Sequence, residues 1–158
     1  MTSVASQVAS VHYDERPHEW RAVHDPRGYQ QLVDDVVSPP PADSPVWVRG
    51  HRMIVVSEHP YDPASAELTP MLLVAVTADC GAAYVREVDH GIVTGWVTNN
   101  PSPIPNAPEI PFASQGWASF PAAAVLTTDQ VRALVTEYVA TGGQRPSSVA
   151  WQASELMQ

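Results

Sequence analysis

Apolar side chains recur along this chain at two periods. Val131, Leu134, Val135, Tyr138 and Val139 fall at i, i+3, i+4, i+7 and i+8, and Tyr29, Leu32, Val33, Val36 and Val37 show the same spacing earlier in the chain. Each set makes one stripe along an amphipathic helix of about three turns. Both helices carry start and stop signals. Asp25 can cap the first, with Pro26 at the position where a missing N–H costs nothing, and Ser38 with the Pro39–Pro41 run ends it. Thr127 and Gln130 stand at capping-box spacing for the second, Leu126 and Val131 at hydrophobic-staple spacing, and Gly142–Gly143 can take the left-handed stop before Pro146.

Between the helices the pattern is that of strands. Val46–Val48 and Met53–Val56 read as one strand bent or bulged at Gly50. Met71–Val76 is uninterrupted apolar sequence, as expected of a central strand covered on both faces. Turn signals at Asp79–Gly81 and Asp89–Gly91 separate it from Ala83–Val88 and Ile92–Val97, which predicts an antiparallel meander. Val8–Tyr13, Ala118–Phe120 and Ser148–Trp151 read as further strands. Residues 59–70 form a polar, proline-containing loop. Residues 101–112 hold five prolines, at 101, 103, 105, 108 and 111, and can be neither helix nor central strand. The expected fold is α+β: a mostly antiparallel sheet of roughly five to seven strands with two amphipathic helices packed on it. Length predicts a single domain over residues 1–158, with 1–6 frayed.

The run from Phe120 to Trp151 resembles the C-terminal signature of immunity protein family one of bacterial polymorphic toxin systems. Phe120 and Pro121 match its strand and turn, Tyr138, Thr141 and Gly142 its helix end, and Pro146, Val149 and Trp151 its closing strand. The signature is made mostly of packing residues, so it speaks for a fold more than a mechanism. The resemblance implies a protein that protects its own cell by capping the active site of a cognate toxin domain. Relatives of the family often accompany deaminase-fold toxins acting on nucleic-acid bases, and sometimes other toxin classes.

Composition adds a sign to that picture. Seventeen acidic residues face eight basic ones, all arginine, for a net charge of −9. This argues against binding nucleic acid or an anionic membrane and suits a partner with a basic face. Taken alone, the charge fits a solvated acidic surface better. The N-terminal sequence MTSVASQVASVHYDE lacks a basic leader and a continuous apolar core, and no apolar run approaches a membrane span, so a bacterial cytoplasm is the simplest location.

No catalytic kit is legible. The six histidines, His12, His18, His24, His51, His59 and His90, form no metal-binding pair on a helix and read as solvent-exposed. The lone Cys80 supplies neither a disulfide nor the thiolates of a zinc deaminase, and Asp79 beside it would raise its pKa. No nucleophile elbow or phosphate loop occurs. The expectation is a non-enzyme with no catalytic residue, metal or cofactor. Two alternatives stay open: an enzyme using a His–carboxylate pair that only folding brings together, and a secretion adaptor or chaperone that binds a toxin without blocking it.

The candidate partner-binding residues lie on the proline-rich stretch 99–117: Asn99, Asn100, Asn106, Glu109, Phe112 and Trp117. Rigid apolar anchors with a few polar groups are what an interface centre needs. A loop that merely covers the sheet edge is the competing account. The acidic residues Asp62, Glu67, Glu87 and Asp89 are the second set of candidates.

Overall fold

The structure is a computed structural model that describes residues 7–16, 19–41, 43, 50–65, 68–112 and 118–154. An antiparallel sheet organises them. Its strands are β1 (Val8–Tyr13), β2 (Arg21–Val23), β3 (His51–Ser57), β4 (Met71–Val76), β5 (Cys80–Asp89), β6 (Ile92–Asn99), β7 (Leu126–Thr127) and β8 (Ala150–Ala153). They lie in the order β2-β1-β3-β4-β5-β6-β8, with β7 paired to the start of β5. Helices α1 (Pro26–Val37) and α2 (Thr128–Ala140) pack on one face. The α+β architecture is the one the periodicity predicts. Among the described residues the sheet has eight strands, more than the expected number, because β2 and β7 are three and two residues long and too short to leave a periodic signal.

All six residues of β4 are buried. Leu72, Val74 and Val76 meet the helices, whose buried residues Leu32, Val36, Leu134, Val135 and Tyr138 share their cluster. Met71, Leu73 and Ala75 point the other way and meet Ile110, Phe112, Phe120 and Val125. Burying one such aliphatic side chain stabilises by about 1.5–3 kcal/mol. The cover on the second face is the proline-rich segment, and it is as buried beneath as a helix would be.

The helix ends follow the local chemistry. The Asp25 carboxylate accepts from the Gly28 N–H at 2.6 Å. The Thr127 hydroxyl accepts from the Gln130 N–H at 3.2 Å while the Gln130 side chain accepts from the Thr127 N–H at 2.9 Å, so the capping box is complete. At the other end the Gly143 N–H reaches the Tyr138 carbonyl and the Gly142 N–H the Val139 carbonyl. That pair of bonds, with positive φ at both glycines, is a Schellman stop.

Several strand boundaries differ from the sequence reading. β5 begins at Cys80 rather than Ala83, because the Thr77 N–H and hydroxyl both donate to the Cys80 carbonyl, at 2.8 and 3.1 Å, and close the turn early. β8 begins at Ala150 rather than Ser148, because the Ser147 and Ser148 N–H groups are taken by the Glu137 carboxylate. Ala118–Phe120 makes only a bridge between Ser119 and Pro111, since prolines at 111 and 121 lack the donors that would extend a ladder. The Asp89–Gly91 turn is a two-residue hairpin with φ of 50° at His90 and 78° at Gly91, the signature of a type I′ turn. The proposed strand Val46–Val48 and residues 1–6, expected to be frayed, lie outside the described residues. Among those residues, no helix is long and apolar enough to cross a membrane.

Leu134 is fully buried, so Leu134→Ala should cost about 2–5 kcal/mol in denaturant unfolding. Thr127→Ala should cost about 1 kcal/mol through the lost cap. Wild-type stability for Leu134→Ala would show that α2 does not pack as described. Glu137 gives a pH signature: the Ser147 N–H first, then the Ser147 hydroxyl and Ser148 donors, hold its carboxyl below the ordinary glutamate range. A carboxyl depressed in the folded state adds stability above its unfolded pKa and loses it as pH falls through the folded pKa. Glu137→Gln should therefore melt lower than wild type at neutral pH, with the gap closing in acid. A gap independent of pH in thermal melts would contradict this assignment.

Candidate binding face opposite the helices

The proline-rich segment leaves the sheet at a fixed point. Where β6 separates from β5, the Thr98 hydroxyl accepts from the Ala83 N–H at 3.3 Å and donates to the Ala124 carbonyl at 2.7 Å. Asn100 follows. Its N–H donates to the Ala123 carbonyl, its side-chain amide donates to the Val125 carbonyl at 3.0 Å, and its side-chain oxygen accepts from the Ser102 N–H. The segment then crosses the sheet face. Ile110 and Phe112 are driven inward, and the Phe112 ring meets Tyr84 edge-on at 5.2 Å and 84°. On the return, Phe120 lies 5.2 Å from Phe112. The outer side is a ridge of exposed Pro101, Pro103, Pro105 and Pro108, with Asn106 and Glu109 also exposed.

The candidate residues therefore separate. Asn106 and Glu109 face outward, and Glu109 accepts from the Ser119 hydroxyl at 2.8 Å. Asn99 is half-buried in β6 opposite Ala150. Asn100 and Phe112 are buried, 3% and 1% exposed, and serve to pin the loop. Trp117 and Glu67 lie outside the described residues. Asp62 and Asp89 are exposed, on the β3–β4 loop and the β5–β6 hairpin. Glu87 projects to the helix side, where it accepts from the Trp96 indole N–H at 2.7 Å and pairs with Arg145, itself stacked 4.2 Å over the Trp96 ring. The described acidic candidates Asp62, Glu87 and Asp89 thus form no single patch.

The sequence hides a buried charged knot at one end of this face. Arg52 is 1% exposed. It bonds the Glu15 carboxylate at 2.8 Å and the carbonyls of His51 and Ser38 at 3.2 and 3.0 Å. Its guanidinium lies 5.0 Å over the Tyr13 ring and 3.5 Å from Asp14. Burial, then the charge of Asp35, pushes the Tyr13 hydroxyl up to about 12. His51, expected at the surface, is 6% exposed because Nε2 donates to the Pro111 carbonyl at 2.8 Å. Nδ1 faces Asp14 at 3.6 Å. Here folding does unite a histidine and a carboxylate, but the pair is enclosed and ties the proline-rich segment to the sheet. Arginine following histidine at the head of a strand was the only clue, and nothing in the sequence gives the burial.

Sequence reasoning also missed an aromatic group on the same face. Trp20 and Tyr61 pack against the cluster beneath the proline-rich segment, with ring centroids 4.5 Å apart, and the His12 ring lies 5.2 Å from Trp20. Cys80, by contrast, is buried under the turn. Burial foremost, with the Asp79 charge adding, raises its thiol pKa, as expected of an inert residue. Among the described residues, no three His, Cys, Asp or Glu side chains gather as a metal site would require.

The sequence matches a known protein family. The family model described as "Immunity protein Imm1" covers residues 17–153, ending at the last residue of β8. No curated protein matches the chain. The family match takes in both helices, the central strands and the proline-rich cover, and the chain belongs to the Imm1 immunity protein family.

Proposed function

We propose that this protein acts as a single-domain, non-enzymatic inhibitor that binds a toxin domain in the bacterial cytoplasm and occludes its active site through the loop-covered face of the sheet. The observation that carries this reading is the ridge from Pro101 to Glu109. It is pinned from beneath by Asn100, Ile110 and Phe112, yet presents Asn106 and Glu109 outward. A surface already ordered by prolines and buried anchors loses little entropy on binding. The partner is a toxin that modifies nucleic acid, a base deaminase first among them. Such a toxin must be basic where its substrate lies, and an acidic inhibitor of net charge −9 can stand in for phosphates there. The inhibitor itself needs neither nucleic acid, membrane nor cofactor.

Calorimetry with the toxin domain encoded by the neighbouring gene should give a stable one-to-one complex, and co-expression should rescue a cell from that toxin. Absence of binding would reject the reading. Binding that leaves the toxin's activity intact would favour an adaptor. Glu109→Arg should weaken the complex by about 1–3 kcal/mol while leaving the melting temperature close to wild type. In stopped flow the on-rate should fall steeply once salt shortens the Debye length below about 10 Å. A salt-independent on-rate would mean that the acidity only solvates the surface.

A further inference from the structure

We propose that Tyr13, Arg16 and Arg21 form a binding site for one carboxylate group, brought by an acidic side chain of a bound protein or by a small free acid. The turn between β1 and β2 gathers these residues. The Arg16 N–H donates to the Tyr13 carbonyl at 3.0 Å, and the Glu19 N–H to the Arg16 carbonyl at 3.1 Å. Arg21 then pairs across from Val11 as β2 begins. Val11, Tyr13, Arg16, Glu19, Trp20 and Arg21 line a cavity of about 400 Å³ at this edge of the sheet.

The Tyr13 hydroxyl is what points to a ligand. Tyr13 is 7% exposed, and among the described residues its hydroxyl has no hydrogen-bond partner. Buried hydroxyls are nearly always paired, because an unpaired one forfeits its bonds to water. Besides burial, the charges of Asp35, Arg52, Arg21 and Arg16 act on this hydroxyl, so its oxygen lies among them. The Arg16 guanidinium stands 5.5 Å from the centre of the Tyr13 ring. Charge and shape choose the ligand. Two guanidinium groups and one carboxylate, that of Glu19, line the cavity. Asp35 lies 3.5 Å from Arg21, and the Arg52 charge is answered by Asp14 and Glu15. The positive excess is therefore small and suits a single negative charge better than a phosphate dianion. The two oxygens of a carboxylate can accept from a guanidinium and a hydroxyl together.

The test uses the full chain, with sodium acetate as the probe and sodium chloride at equal ionic strength as the control. The Trp20 indole N–H resonance should shift saturably with acetate and not with chloride. Arg16→Gln, Arg21→Gln and Tyr13→Phe should each weaken acetate binding about tenfold. Glu19→Gln removes a competing carboxylate and should tighten it about threefold. Arg16, Glu19 and Arg21 are exposed, so their variants should keep the fold, and they carry the test if Tyr13→Phe does not. An equal response to both salts, as from a cavity holding only water, would overturn the site. So would acetate binding within about twofold of wild type in the folded arginine variants. The purified toxin domain encoded by the neighbouring gene identifies the source of the carboxylate. For a side chain of that domain, Arg21→Gln weakens the complex about tenfold and acetate competes with it. For a free acid, Arg21→Gln loses acetate and keeps the complex. No complex with wild type would remove the inhibitor reading and leave the acetate result standing.

Discussion

The structure depends on covering β4 twice. A strand made only of Met, Leu, Val and Ala has no face that tolerates water, and its neighbours in an antiparallel sheet cover only its edges. Two helices close one side. On the other the chain uses an irregular segment, which must satisfy its backbone groups without a ladder of its own. Proline helps, because each one removes a donor that would otherwise need a partner. The few donors that remain critical are placed one by one: Asn100 against the Ala123 and Val125 carbonyls, Phe112 and Phe120 against each other's neighbours.

The Arg52 knot is the consequence of joining that cover to the helical layer. Arg52 reaches the carbonyl of Ser38 at the end of α1, while His51 beside it holds the Pro111 carbonyl of the cover. Buried ion pairs contribute little net stability when compared with apolar packing, but removing one partner leaves a charge stranded. Such a knot therefore fixes one arrangement of the layers. In it a histidine and a carboxylate meet, and each ring nitrogen of His51 faces a group of the protein.

The same cover supplies the surface of the face opposite the helices. Its apolar residues turn inward and its prolines, Asn106 and Glu109 turn outward, so one segment is both structural layer and exterior. Trp20 and Tyr61 extend this face beyond the segment, at the β1–β2 side of the sheet. A family signature built of packing residues is consistent with such a division. Phe120 and Tyr138 are buried in the scaffold, and Gly142 closes α2.

The sequence by itself determined the helices, their caps and stops, the central strand and the β5–β6 hairpin, because these rest on interactions within a few residues. Thr127 and Gln130 find each other whatever surrounds them, and His90–Gly91 can adopt positive φ locally. It also carried enough of the packing pattern, from Phe120 to Trp151, to reveal the family. Only the tertiary structure decided which apolar residues of the proline-rich segment face inward, since that segment has no period to read. It alone buried Asn100 and Phe112, sent Glu87 to the helix side, enclosed His51 and brought Trp20 to Tyr61. Each of these is a contact between residues distant in sequence, and the chain encodes such contacts only through the shape of the whole sheet.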